Sequence, residues 1–254
     1  MPDYTISVGE YNNIQLDTQH SLIGSSQIYN ATSWQQIFYA QISVGWVPLS
    51  ARFCQLPDIY SSIIAIAFKP STLDYSIALP ALKLRSGAGE TYYIGPCVVR
   101  SSEDAVDAIQ CNIFTKERIE TYPVPRYGMM VYDENGKAIF NSDCNILKIQ
   151  EICQFQASYN SLPITISHNT QNPFYVVPFA QSTFSMVWPT SYLPACSATN
   201  RVMGIKKISA TQFSVNWIPY NIETAMGYGW EGIPDSLKYV SSIPNPVRIG
   251  LCTL

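Results

Sequence analysis

Residues 127–142 read Tyr-Gly-Met-Met-Val-Tyr-Asp-Glu-Asn-Gly-Lys-Ala-Ile-Phe-Asn-Ser, and this stretch decides the local fold in the middle of the chain. Two short runs of apolar, aromatic and β-branched residues flank the polar residues 133–136. Asn-Gly is the dipeptide that most readily adopts a positive φ, because glycine lacks a Cβ and asparagine tolerates the left-handed region. The pattern predicts a β-hairpin with its turn at residues 133–136.

The composition extends this β prediction to the whole chain of 254 residues. Seventeen Tyr, ten Phe and five Trp are typical of strands, and 17 Pro and 13 Gly interrupt the long helical patterns. The one good helix-start signal is Ser102 followed by Glu103 and Asp104, which predicts a single turn within residues 101–108. We therefore expect an all-β fold of antiparallel, β-sandwich-like domains built from short hairpins, with little helix.

Strand-like runs follow one another at roughly ten-residue spacing, separated by turn residues. They lie at residues 34–47, 61–69, 91–94, 97–100, 109–115, 146–155, 162–167, 174–179, 183–188, 202–208, 212–217 and 246–251. The run 61–69 is continuously apolar, which predicts a strand buried on both faces. The run 146–155 also fits a short amphipathic helix, although we favour a strand. Residues 202–208 and 212–217 predict another hairpin around residues 209–211.

The linker before the central hairpin contains Pro123 and Pro125, which favour an extended backbone. We therefore place a domain boundary near residues 120–126. The prediction is an N-terminal β domain of residues 1–122 and a C-terminal β domain of residues 123–254, which begins with the hairpin at residues 127–142.

The charge is low, since charged residues make up 13% of the chain against a usual share of roughly 25%. This favours a protein that buries much of its surface against neighbours, the alternative being a sparsely charged monomer. The net charge is −3 and Lys206-Lys207 is the only adjacent basic pair, which argues against binding to nucleic acid. No run approaches the roughly 18–20 apolar residues of a membrane span, so we expect no membrane insertion.

The cysteines show neither a metal-binding nor a disulfide pattern. There are seven, without a Cys-x-x-Cys pair and without a nearby histidine. The first 20 residues lack the apolar core of a signal peptide, so we expect synthesis in the cytoplasm, where thiols stay reduced. Buried free thiols are the prediction, and a disulfide formed after release is the alternative.

The sequence contains few of the motifs that are typical of a catalytic site. A hydrolytic triad needs an imidazole, and both His20 and His168 lie in loop-like segments where we expect solvated rings. No phosphate-binding loop is present, and the acids of residues 103–107 lack the spacing of a calcium loop. We therefore expect no enzyme activity, no cofactor and no metal.

One segment has the composition of a sugar site. Residues 220–235 combine acids with aromatic side chains that could stack on a sugar ring, and ordinary surface acids beside anchoring aromatics would give the same composition. The candidate ligand-binding residues are Tyr228, Trp230 and Glu231.

The central hairpin also resembles a known segment. Its pattern, Tyr-Gly-hydrophobic-x-Val-Tyr-Asp-x-x-Gly-x-x-x-Phe-Asn/Asp-Ser, is similar to one that recurs in minor tail and tail-tip proteins of tailed bacteriophages. Residues 3–8 and 14–18 resemble the opening hairpin of those proteins, with two departures: Thr5 stands where glycine is usual, and Asn12-Asn13 stands in place of an Asn-Gly-type turn. The resemblance covers residues 1–145 and says little about the remainder.

The resemblance implies a structural component of a virion, a minor protein of the distal tail at the tip or fibre attachment. Such a protein would assemble in the cytoplasm of the bacterial host and act through contacts with other phage tail proteins, in several copies around the tail. The alternative is a lectin-like receptor-binding module of the tail that recognises a glycan of the host surface.

Overall fold

The structure is a computed structural model, and the fold is built almost entirely from short strands. The structure describes residues 24–25, 28–36, 39–42, 45–48, 51–57, 63–85, 91–101, 107–115, 123–158, 161–179, 183–189, 195–226, 239–242 and 245–253. These residues contain 23 strands and no α-helix. The all-β prediction is therefore confirmed.

The 23 strands follow one another along the described chain. The first twelve are β1 (Gly24–Ser25), β2 (Ile28–Ala31), β3 (Gln35–Gln36), β4 (Tyr39–Ile42), β5 (Gly45–Pro48), β6 (Arg52–Gln55), β7 (Ile63–Phe68), β8 (Ser76–Leu79), β9 (Leu82–Arg85), β10 (Thr91–Ile94), β11 (Cys97–Arg100) and β12 (Ile109–Thr115). The others are β13 (Met130–Tyr132), β14 (Ala138–Asn141), β15 (Asn145–Ile146), β16 (Glu151–Phe155), β17 (Ile164–Ser167), β18 (Tyr175–Pro178), β19 (Thr183–Pro189), β20 (Ala195–Lys207), β21 (Gln212–Met226), β22 (Tyr239–Ser242) and β23 (Val247–Cys252).

Two large antiparallel sheets form the body of the protein. Sheet 1 has the order β15-β1-β12-β7-β18-β23-β16, and β2 also pairs with β12. Sheet 2 has the order β17-β21-β20-β8-β11-β6-β3, and β19 pairs with both β20 and β22. Three separate two-stranded sheets, β4-β5, β9-β10 and β13-β14, complete the described strands.

The two sheets pack on one another through a shared apolar core. Side chains on the inner face of sheet 1, such as Phe68 and Ile249, belong to the same buried cluster as Val98 and Phe213 from sheet 2. Two antiparallel sheets that bury their facing sides define a sandwich-like arrangement. The predicted β-sandwich-like fold is thus what the chain adopts.

Both sheets take strands from before and after the boundary predicted at residues 122/123. In sheet 1, Phe68 of β7 pairs with Val176 of β18, and in sheet 2 Ser76 of β8 pairs with Ile205 of β20. We therefore describe the chain as two sheets shared by its two halves, not as two consecutive domains. The prolines of the linker mark an extended connection, which does not by itself separate two cores.

Strand β7 corrects the prediction that residues 61–69 are buried on both faces. Its C-terminal half fits the prediction, because Phe68 faces the main core while Ala67 packs in a second cluster on the opposite face, beside Leu147 and Ile149. Its N-terminal half does not, since Ile64 is 46% exposed. An apolar run shows that burial is possible, but only the covering elements decide how far along the strand it extends.

Other predicted elements have mixed outcomes. The hairpin around residues 209–211 is confirmed and is longer than expected, since β20 and β21 extend to 195–207 and 212–226. The single strand predicted at residues 34–47 is instead β3 followed by the β4-β5 hairpin, in which Ile42 pairs with Gly45. Residues 151–155 of the run 146–155 form β16, as favoured over a helix. The hairpin of residues 3–18 and the helical turn starting at Ser102 fall outside the described residues.

Candidate functional site

The central hairpin is a tight turn organised by one aspartate. The Asp133 carboxylate accepts hydrogen bonds from the amides of Asn135 at 2.9 Å and Lys137 at 2.8 Å. The Asp133 carbonyl accepts from the Gly136 amide at 3.1 Å, and the Asp133 amide donates to the Lys137 carbonyl at 2.8 Å. Gly136 has a φ of +77°, and no other described residue has a positive φ. The predicted hairpin is confirmed, with glycine alone in the left-handed region.

Replacing Gly136 with alanine tests this turn. An L side chain in the left-handed region costs about 1 kcal/mol, although no atom lies within 4 Å of the added Cβ. We expect hydrogen exchange at the backbone amides of positions 133 and 136 to become about fivefold faster in the variant, measured by NMR. Glu134→Ala, in the same turn without a positive φ, should leave the exchange rates unchanged. Equal exchange rates in Gly136→Ala and the wild-type protein would show that alanine adopts this backbone conformation without strain.

The two strands of the hairpin have opposite environments. All four residues of β14 are buried, and Ala138 packs with Cys144 and Met130 in a small cluster of its own. The segment leading into β13 is exposed, with Tyr127 at 85% and Val124 at 73% exposure, and Met129 and Tyr132 are exposed beside it, whereas Met130 and Val131 of β13 are half-buried. The hairpin therefore holds one apolar strand inside the protein and presents apolar and aromatic side chains on the outside.

Side-chain hydrogen bonds fix the base of the hairpin. Ser142 Oγ accepts from the Met129 amide at 3.0 Å, and the Ser142 amide donates to the Met129 carbonyl at 2.9 Å. The buried Asn141 side chain accepts from the Asp143 amide at 2.9 Å and donates to the Pro123 carbonyl at 3.3 Å. These contacts position the exposed segment 123–132, which we call the hairpin surface, on a rigid base.

A second notable group is a buried cluster of charges at the end of β11. Arg100 is buried and its Cζ lies 3.9 Å from the centroid of the Trp34 ring, a cation–π contact. The buried Asp74 carboxylate accepts a hydrogen bond from Ser101 Oγ. Burial lowers the pKa of Arg100, while Asp74 and then Asp107 oppose that change. The cluster ties the loop after β7 to the end of β11.

His168 corrects the expectation of a solvated ring. Only 3% of the residue is exposed, and its ring packs against Phe174 at 4.3 Å and Phe213 at 5.9 Å between centroids. Burial lowers the pKa of His168 below 6.5; Glu151 opposes this, and Lys207 adds to the lowering. Neither ring nitrogen has a hydrogen-bond partner of good geometry. Without a base or nucleophile bonded to it, this imidazole is a neutral core residue. His20 lies outside the described residues.

The buried imidazole predicts a pH-dependent stability. The unfolded histidine titrates near its usual pKa of about 6.5, whereas the folded one binds a proton only at lower pH. As the pH falls through 6.5 the unfolded state gains the proton first, so His168 lowers the free energy of unfolding until the pH passes below its folded pKa. The free energy of unfolding, measured by urea titration at each pH, should therefore fall more steeply between pH 7.5 and pH 5 for the wild-type protein than for His168→Phe. An equal pH dependence of the free energy of unfolding in the two proteins would contradict a buried, uncharged His168.

Every cysteine whose side chain the structure describes follows the expectation of a buried thiol. Six are buried and none of these six forms a disulfide, namely Cys54, Cys97, Cys111, Cys144, Cys153 and Cys252. Burial raises the pKa of Cys97 to about 12 and that of Cys252 to about 11, so these thiols stay protonated near neutral pH. Protonated buried thiols are poor nucleophiles and poor metal ligands.

The residues chosen from the sequence as ligand-binding candidates, Tyr228, Trp230 and Glu231, lie outside the described residues. Within the described ranges, no group of three or more His, Cys, Asp or Glu side chains is placed to hold a metal ion. The described part of the chain also has no helix long and apolar enough to span a membrane.

Sequence reasoning did not select the hairpin surface or the charge cluster as sites. The hairpin itself was predicted, but alternation does not reveal which strand faces outward. In the sequence, Asp107 is one of several neighbouring acids, and nothing in its surroundings indicates an arginine beside it. Arg100, Asp74 and Asp107 come together only because strand pairing joins distant parts of the chain.

Comparison with models of protein families, with curated proteins and with solved structures finds no match to this chain.

Proposed function

We propose that this chain is a structural protein of a bacteriophage virion, a minor protein of the distal tail that acts by assembling with other tail subunits. The observation that carries the proposal is the hairpin surface. The resemblance of residues 127–142 to phage tail proteins names the kind of particle, and the exposed aromatic side chains of the same segment supply a means of contact.

The distribution of exposed apolar side chains supports an assembly role. Among the described residues, eleven large hydrophobic side chains are exposed, and four of them lie within residues 124–132. Single exposed apolar residues are ordinary, but a concentration of them marks a contact surface. Aromatic residues are enriched and charges depleted in interface cores, which agrees with the low charge of the whole chain.

The rigid base of the hairpin favours binding. An isolated two-stranded hairpin is marginally stable in water, and ordering one during association would reduce the affinity. Here the buried strand β14 and the hydrogen bonds of Asn141 and Ser142 order the hairpin in advance. Covering apolar surface contributes about 25 cal/mol per Å², and several copies around a tail would strengthen each contact through avidity.

The test is incorporation into particles. A phage lacking the gene is complemented with the wild-type chain, with the double variant Tyr127→Ser and Tyr132→Ser, or with Tyr93→Ser. Tyr93 is a matched control, because it is 71% exposed but belongs to β10, outside the hairpin. Mass spectrometry of density-banded particles measures incorporation, and immunogold labelling shows its position on the particle.

We expect the wild-type chain and Tyr93→Ser in banded particles, labelled at the distal tail. The double variant, folded by circular dichroism, should be incorporated at least about tenfold less. A wild-type chain that never enters particles would overturn the virion role. Equal incorporation of the double variant would overturn the role of the hairpin surface and leave the virion role standing.

A further inference from the structure

An open cavity of about 360 Å³ lies where the loop after β7, the entry to β12 and the end of β20 meet. Its volume falls at the lower end of the roughly 300–1,000 Å³ found for small-molecule sites. The cavity is separate from the hairpin surface and shares no residue with it. The lining residues used below are Asn30, Lys69, Ser71, Asp107, Gln110 and Lys207.

Two lysines and one acid line this cavity, and the acid, Asp107, has one carboxylate oxygen, Oδ1, that is buried without a hydrogen-bond partner. Lys69 and Lys207 are close enough that the charge of Lys69, after burial, lowers the pKa of Lys207. Asp107 Oδ2 accepts a hydrogen bond from Ser71 Oγ at 2.6 Å, and Asp107 also interacts electrostatically with Arg100. The ionisable lining therefore has two positive charges and one negative charge, and a bound anion would relieve the repulsion between the two lysines.

The ammonium group of Lys207 is held in place by uncharged groups. Its Nζ donates a hydrogen bond to Asn172 Oδ1 and lies 5.4 Å from the centroid of the Phe174 ring. An ammonium group has three N–H donors, so two remain for a ligand after the bond to Asn172. A positioned cation with free donors is suited to an acceptor such as a carboxylate oxygen.

Neutral hydrogen-bonding side chains surround the cation pair. Tyr175 donates its hydroxyl hydrogen to Gln110 Oε1 at 3.3 Å. This bond uses the carbonyl oxygen of the Gln110 amide and leaves its NH₂ group as the donor. Asn30, on the exposed side of β2, offers both an amide donor and an acceptor. The lining thus combines positive charge with amides that suit hydroxyl groups.

From this arrangement we propose that the cavity binds a carboxylated monosaccharide unit, a sugar acid of the uronate class. The carboxylate lies between Lys69 and Lys207, and the ring hydroxyls bond to the amides of Asn30 and Gln110. The cavity has room for more than a bare inorganic anion, and a neutral sugar would leave the repulsion between the two lysines in place. The site is independent of the assembly proposal and lies far in sequence from Tyr228, Trp230 and Glu231.

The experiment uses the full-length chain and three probes followed by NMR. Glucuronate is the test ligand, glucose is the same ring without the carboxylate, and acetate is the carboxylate without the ring. We expect glucuronate at millimolar concentration to cause saturable shifts of the amide signals of Lys69, Asp107 and Lys207. Glucose and acetate should bind at least about tenfold more weakly.

Three variants locate the site. Lys69→Gln and Lys207→Gln should each weaken glucuronate binding by about tenfold or more. Lys206→Gln is the matched control, since Lys206 neighbours Lys207 in sequence but does not line the cavity; its affinity should stay within about twofold of wild type. Thermal unfolding confirms that each variant folds, and Lys69→Gln alone carries the test if Lys207→Gln does not.

Three results would overturn the proposal: no saturable shift with glucuronate, acetate binding as strongly as glucuronate, or unchanged affinity in the folded lysine variants. Acetate binding of that strength would mark a simple anion site. None of these results bears on whether the chain enters particles, because the hairpin surface lies elsewhere.

Discussion

Phe68→Ala is expected to reduce the free energy of unfolding by about 3–5 kcal/mol. Phe68 is fully buried at the end of β7, in the core shared by the two sheets. Truncating a buried phenylalanine removes its apolar contacts and leaves a cavity that rigid neighbouring strands cannot fill. Urea unfolding followed by tryptophan fluorescence and by far-UV circular dichroism measures the change.

Ile64→Ala is the matched control on the same strand. Ile64 is about half exposed, so its loss should change stability by less than about 1 kcal/mol. If Phe68→Ala were equally mild, the position of β7 in the shared core would be wrong.

The same variant tests whether the two halves of the chain fold together. Phe68 pairs with Cys111 in β12 and with Val176 in β18, so one strand joins both halves. We expect Phe68→Ala to speed amide hydrogen exchange at Val177 and Ile249 as well as near the substitution. Unchanged exchange at those two residues, with two separate unfolding transitions, would support the boundary predicted at residues 122/123.

Gly204→Ala is the second substitution with a large expected effect, a loss of about 2–3 kcal/mol. A Cβ at Gly204 would lie 2.1 Å from Cδ1 and 2.5 Å from Cγ1 of Ile218, and 3.3 Å from Cβ of Tyr75. Ile218 is fully buried, so its side chain has no free space into which it can move. Overpacking of this kind forces side chains out of their preferred rotamers.

Gly250→Ala is the matched control for this effect. Its added Cβ would meet the ends of two side chains, Ile149 Cδ1 at 2.9 Å and Phe179 Cζ at 3.0 Å. Phe179 is half exposed and can rotate away, so the same substitution should cost less than about 1 kcal/mol. Urea midpoints of the two variants, compared at equal slopes, measure the difference.

A double-mutant cycle identifies the contact. Ile218→Ala alone should cost about 2–5 kcal/mol, because it empties a core position. Combined with Gly204→Ala, it should cost less than the sum of the two single variants, since the added methyl group at position 204 then occupies space that the isoleucine side chain has left. Strictly additive losses would show that the two residues do not compete for the same space.

Local chemistry explains why some elements were predictable. The turn at residues 133–136 depends on an aspartate and a glycine only three residues apart, so the sequence pattern contains all of its determinants. The hairpin of β20 and β21 was likewise visible as two apolar runs around polar residues 209–211. The length of β20 was not, because pairing with β19 extends it to residues that precede its apolar run.

The misjudged features depend on what packs against them. His168 has polar neighbours in sequence, which favoured a solvated loop, yet Phe174 and Phe213 enclose its ring. Ile64 lies in an apolar run, which predicted burial, yet its side chain is exposed. The side chains that cover this face of the sheet pack only against the other end of β7.

The sequence by itself determined that this protein is all-β, because aromatic and β-branched runs broken by proline and glycine act on the backbone locally. Only the tertiary structure decided which strands pair across the chain, and therefore that Lys69, Asp107 and Lys207 line one cavity. The physical reason is that strand pairing and core packing join residues more than one hundred positions apart, such as Phe68 and Val176. Many pairings satisfy the same alternation pattern, and the one adopted is the one whose side chains fill the shared core together.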